Sequence, residues 1–247
     1  MDTFHFSSYE TNSPFDRTFN MLRMLQLQDT FREMSYKIGS EYDEWEWEWH
    51  TFLHLVDQNA GSVETLTVIN YTSFERNASK YDLSSLGTLP HLRKLHLDAI
   101  NLETLNLGGS LLLHTLEVKF WRFGDDSSLE FFDQLRNIPT LRTLIISSFS
   151  ASASNTTKQE LILSKIVELM HEDSILKIRH SSNLFLNNEN VERFFRRLAD
   201  RRVRNVQFNM NYIQPRFDSW AVHLAQNDVA AHEIVRNWTV NDDVLPT

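Results

Sequence analysis

One apolar pattern keeps returning through the middle of the chain: an apolar residue, two variable ones, an apolar, one variable, an apolar. It reads Val63-Leu66-Val68, Leu92-Leu95-Leu97, Leu102-Leu105-Leu107, Leu113-Leu116-Val118 and Leu141-Leu144-Ile146, with weaker copies at Leu176-Ile178 and Val203-Val206-Phe208. Its second half alternates with the two-residue period of a strand that buries one face. The central positions 66, 95, 105, 116, 144, 176 and 206 are separated in four cases of six by 28–32 residues. That interval holds a strand and a returning helix, whereas the remaining intervals of 10 and 11 residues are too short for a helix.

The long intervals carry helical patterning. Ser127 to Leu135 opens on a capping serine and stops before Pro139. Lys158 to His171 sets Leu161, Ile162, Ile166, Leu169 and Met170 on one apolar stripe, and Asn190 to Arg201 does the same with Val191, Phe194, Phe195 and Leu198. Strand then helix at about thirty residues predicts parallel strands on one side and helices on the other, a solenoid. Its ends need caps, because a terminal repeat cannot leave its apolar face open. Pro14 to Ile38 and Asp43 to Gln58 read as cap helices, the second closed by Gly61; Phe217 to Trp238 reads as a C-terminal one carrying Trp220, Val222, Leu224 and Ile234. A single domain is expected, with a helical N-terminal cap over 1–61, repeats over 62–210 and a C-terminal cap over 211–247. The stretch 147–157 (SSFSASASNTT) is the best candidate for a mobile loop.

Here the chain resembles the leucine-rich repeat family. Residues 89–120 (LPHLRKLHLDAINLETLNLGGSLLLHTLEVKF) and 138–149 (IPTLRTLIISSF) carry the L-x-x-L-x-L core, while Ile100, Ser110 and Trp121 stand where the consensus Asn or Cys would follow the strand. The irregular, short-gapped repeats look most like those of F-box-associated proteins, the substrate-recognition subunits of cullin ubiquitin ligases. The resemblance implies an α/β solenoid with a parallel sheet on the concave side, helices on the convex side and helical caps. It also implies protein binding, with a ubiquitin-ligase adaptor as one conceivable partner, although the N-terminal region carries no recognisable F-box.

Composition narrows the function. Of 247 residues, 41% are hydrophobic, including 17 Phe, 6 Trp and 6 Tyr, enough for a sizeable core. The 24 Lys and Arg against 33 Asp and Glu give −9, which disfavours sequence-independent nucleic-acid binding. With no Cys, disulfide scaffolds, thiolate metal sites and thiol nucleophiles are excluded. Apolar runs fall far short of the ~20 residues a membrane span needs. The N-terminus lacks a basic segment followed by an apolar one, so an intracellular protein, cytoplasmic or nuclear, is expected.

Catalytic wiring is missing from the pattern. His50 and His54 have the helical spacing of a zinc pair, but Thr51 stands where a zincin needs its glutamate base. There is no G-x-S-x-G, since Gly108-Gly109-Ser110 falls in a short turn, and no phosphate-binding loop. Asp125-Asp126 and Asp242-Asp243 read as solvated turns. No enzyme activity and no cofactor or metal are expected.

Binding surfaces are the remaining candidates. Residues between the buried leucines should face the concave side, giving one stripe of Thr67, His96, Asn106, Glu117, Ile145, Lys177 and Gln207. Thr65, Lys94, Thr104, Thr115 and Thr143 form its neighbour. A second candidate is Trp47, set among acids in the run 44–49 while Trp45, Trp49, Phe52 and Val56 share one helical stripe. A third is the cluster Arg193, Arg196, Arg197, Arg201, Arg202 and Arg204, read as a solvated helix face, a dock for an acidic protein or, last, a nucleic-acid contact. The concave stripe ranks first because only the repeat gives a physical reason for a broad continuous surface.

Overall fold

The computed structural model describes residues 3–7, 31–38, 45–70, 84–98, 105–120, 126–148, 156–179, 188–209 and 214–240. It is an α/β protein whose strands all pair in parallel with their sequence neighbours within each of two compact units. The first unit holds residues 1–114 and 137–140, the second 115–136 and 141–247.

In the first unit the strands are β1 (Thr3–Ser7), β2 (Glu33–Ile38), β3 (Thr65–Asn70) and β4 (Lys94–Asp98). Helix α1 (Trp45–Gln58) connects β2 to β3, and a 3-10 turn (Ser84–Thr88) precedes β4. Met34 and Tyr36 align with Leu66 and Val68, and these with Leu95 and Leu97, so one face of the sheet is a buried apolar row on every strand. Helix α1 lies on that face: the Tyr36 ring stacks on Phe52 at 4.8 Å and meets Trp49 at 5.8 Å. Trp49, Phe52 and Val56 are buried, as their shared stripe predicts.

The second unit repeats the plan with β5 (Thr115–Phe120), β6 (Thr143–Ser148), β7 (Ile175–Arg179), β8 (Asn205–Asn209) and the two-residue β9 (Thr239–Val240). Its helices are α2 (Asp126–Leu135), α3 (Thr156–Leu169), α4 (Asn188–Asp200), α5 (Gln214–Asn227) and α6 (Val229–Val235). Leu116, Leu144, Leu176 and Val206 lie in register, as do Val118, Ile146, Ile178 and Phe208, and all are buried. Helix α4 packs on this face through Phe195, which touches Phe208 (5.1 Å), Trp220 (5.2 Å) and Phe217 (5.5 Å).

Side chains staple each repeat to the next. The Asn59 carboxamide accepts from the Phe31 N–H (3.0 Å) and donates to the Leu55 carbonyl (2.8 Å). The Thr140 hydroxyl donates to the carbonyls of Leu111 and Leu113, and the Trp238 indole N–H donates to the Val203 carbonyl at 2.8 Å. Arg142 donates to His171 Nε2 at 2.8 Å. Lys165 bonds Asp133, Arg193 bonds Glu160 and Arg204 bonds Glu172, pairing α2 with α3, α3 with α4, and the turn before β7 with the turn before β8. Such pairs join residues about one repeat apart, so they lock neighbours rather than stiffen single helices.

Several sequence expectations need correction. The helix expected over 14–38 does not run to Ile38, because Glu33–Ile38 is strand β2. Met34 and Tyr36 align with the buried Leu66 and Val68 while Ser35 aligns with Thr67, a two-residue period hidden inside a longer helix-like pattern. With β1 as well, the N-terminal region is not a purely helical cap. Over residues 105–107 the repeat Leu102-Leu105-Leu107 forms no strand: Leu105 and Leu107 are buried, but the Asn106 Oδ1 accepts the Gly108 N–H (2.9 Å) and turns the chain. The single helix expected over 217–238 breaks at Asp228, whose extended backbone and side-chain bond to the Ala231 N–H start a new helix. Val222 and Leu161, assigned to apolar stripes, are 61% and 47% exposed. Of the loop candidate 147–157, Ser147 and Ser148 belong to β6 and residues 156–157 to α3, while 149–155 lie outside the described residues.

Candidate functional site

Parallel pairing in register turns distant residues into rows on the face opposite the buried leucines. In the first unit His5, Ser35, Thr67 and His96 align in one row, and Glu33, Thr65 and Lys94 in another. The Ser35 hydroxyl and His5 Nδ1 share a hydrogen bond of 2.6 Å across β1 and β2. In the second unit the middle row is Glu117, Ile145, Lys177, Gln207 and Thr239. One residue pair earlier runs Thr115, Thr143, Ile175 and Asn205, and one later runs Lys119, Ser147 and Arg179.

Most of these side chains are half-buried, in contrast to the fully buried rows behind them. Adjacent rows are about 6.6 Å apart along a strand and about 4.8 Å apart between strands, the spacing of the sheet itself. Such a surface offers hydroxyls, amides, imidazoles and charges at fixed intervals.

The expected stripe is thus assembled within each unit with one exception. Thr67 and His96 align in the first, and Glu117, Ile145, Lys177 and Gln207 in the second. Asn106 leaves the row, because its backbone joins no strand and its side chain accepts the Gly108 N–H of the turn that follows; Thr104 lies outside the described residues. Sequence reading missed His5, Ser35 and Thr239, which sit on strands that carry no leucine pattern. It also missed Lys119, Ser147 and Arg179, although each stands two residues beyond a stripe member and shares its face by strand alternation.

The arginine cluster is mostly engaged within the molecule. Arg193 bonds Glu160, Arg197 donates to the Ser164 hydroxyl (2.8 Å), Arg201 donates to the carbonyls of Glu168 and Met170 (3.1 Å each), and Arg204 bonds Glu172. Arg202 occupies the left-handed region at φ 58° just after α4. Arg196 is exposed, makes no bond among the described residues, and borders a cleft of about 380 Å³ with Asp200, Trp220, His223 and Asp228. Trp47 lies on α1, but its side chain is outside the described residues. On the same helix His50 and His54 are exposed, and the Gln58 amide donates to His54 Nε2 at 3.2 Å. No group of three or more His, Asp or Glu able to hold a metal gathers among the described residues. Among them also, no helix is long and apolar enough to cross a membrane.

Set against known proteins, the chain matches no family model, no curated protein and no solved structure.

Proposed function

We propose that the protein is a non-enzymatic, leucine-rich-repeat-like scaffold that binds a partner protein through the outward face of its parallel strands. One observation carries this reading. The register is unbroken within each unit, so outward residues from four or five strands form continuous rows, polar except at Ile145 and Ile175. The nucleic-acid reading ranks behind it, because the guanidiniums of Arg193, Arg197, Arg201 and Arg204 are held by neighbouring repeats. The ubiquitin-ligase receptor reading rests on the repeat resemblance alone; purification that recovers neither cullin nor adaptor would count against it.

The test is co-purification from native cells with wild type, Lys94→Glu, Gln207→Arg, Trp47→Ala and Arg196→Glu, each checked for an unchanged melting temperature. Loss of one partner with Lys94→Glu and Gln207→Arg supports the outward face. Loss with Trp47→Ala and Arg196→Glu only transfers binding to the helical side, and retention by all four rejects both.

A further inference from the structure

The second unit's outward face holds one device that the scaffold reading does not use. Arg179 on β7 reaches across β6 to Glu117 on β5, with a guanidinium-to-carboxylate distance of 3.2 Å. The bridge crosses β6 at the level of Ile145 and Ser147, which align with Glu117 and Arg179 respectively. Ile145 is only 9% exposed, the lowest value in its row. Around it, among the described residues, the rows carry the cations Lys177 and Arg179 beside the carboxylate of Glu117, in a chain whose net charge is −9. Lys177 makes no hydrogen bond or ion pair among the described residues.

We infer that this patch docks an acidic, extended segment of a partner protein, and that Glu117 occupies Arg179 in its absence as an internal stand-in for a partner carboxylate. The inference rests on the scaffold reading and names its partner's chemistry. Lys177 and Arg179 stand on the same side of one strand, about 6.6 Å apart, the spacing of alternate side chains along an extended peptide. Carboxylates two residues apart on such a peptide therefore meet both cations at once. The incoming carboxylate takes the Arg179 guanidinium from Glu117, and the bridge that shields Ile145 opens, giving the segment an apolar seat between its charged contacts. A partly exposed ion pair is a weak competitor, so its exchange for a partner carboxylate costs little.

The sign of the Glu117 effect is the test. Binding of a fluorescein-labelled polyglutamate peptide to the full chain is followed by anisotropy at low salt. Glu117→Gln should tighten binding about two- to fivefold by releasing Arg179. Arg179→Gln and Lys177→Gln should each weaken it about tenfold or more, and salt should weaken it throughout. Weaker binding by Glu117→Gln, indifference to Lys177→Gln, loss caused by Arg196→Glu instead, or tighter binding of polylysine or of a single-stranded oligonucleotide would each overturn the inference. The native partner separates the two levels. If Lys94→Glu and Gln207→Arg release it but Lys177→Gln and Arg179→Gln do not, the scaffold stands and the acidic dock falls. If none of these releases it and polyglutamate does not bind, both fall.

Discussion

Phe195→Ala should be the most damaging single truncation in the second unit. The ring is fully buried and lies within 5.1–6.3 Å of five others: Phe208, Trp220, Phe217, Trp238 and Phe194. Those rings come from α4, β8, α5 and the turn before β9, so one side chain ties four segments together. Phe→Ala in a core costs ~3–5 kcal/mol, and lost ring pairs at ~0.5–1.5 kcal/mol each push toward the upper end. Against a typical total of ~5–15 kcal/mol this is about a fifth or more of the stability of an ordinary domain. At ~2–4 °C per kcal/mol for a chain of this size, melting should fall by about 6–20 °C. Urea titration followed by far-ultraviolet circular dichroism and by tryptophan fluorescence measures it, since Trp220 and Trp238 sit beside the lost ring. Phe195→Leu keeps most of the volume and should cost less than half as much. A loss below ~2 kcal/mol for alanine, or equal losses for alanine and leucine, would refute the claim that ring packing holds this end of the array.

Further substitutions probe other points. Gly109→Ala should destabilise strongly, because a Cβ there would come within 1.8 Å of the Gly87 carbonyl oxygen; Gly61→Ala, with nothing within 4 Å, should be neutral or slightly stabilising in the same melts. Asn59→Ala should cost ~1–3 kcal/mol in urea titration, since it leaves the buried Phe31 N–H without its acceptor. Arg202→Gly should raise the melting temperature by relieving a left-handed backbone worth ~1 kcal/mol, whereas Arg202→Val should lower it.

The repeat was legible because its leucines alternate over a few residues and recur at nearly constant spacing. Burial of Leu66, Leu95, Leu116, Leu144, Leu176 and Val206 follows from that period alone. Strand β2 was hidden because Phe31 and Met34, three residues apart, fit the helix expected over 14–38, and six residues cannot separate periods of 2 and 3.6. The Leu102-Leu105-Leu107 copy looked like a strand because its apolar spacing is intact; the outcome there turns on a local side-chain bond from Asn106, which competes with strand pairing. Register, by contrast, lies beyond any single segment. That Glu117 and Arg179, 62 residues apart, face each other over β6 depends on two successive pairings, each of which could slip by two residues without disturbing the alternation.

Four side-chain staples of the second unit keep a narrow measure when stripped to their spacing: Lys165 to Asp133 and Arg204 to Glu172 span 32 residues, Arg193 to Glu160 and Arg197 to Ser164 span 33. A chain ruled in this way can be shortened by one whole module. Excising residues 144–175 would join Thr143 to Leu176, the residue that already stands in Leu144's register, so inward and outward faces would be kept. Helix α3 would go with the excised piece, bringing Arg197 to the place of Lys165, one cation for another opposite Asp133. The same geometry lets such a molecule lengthen by copying a unit, with each new surface inheriting a partner already matched in charge.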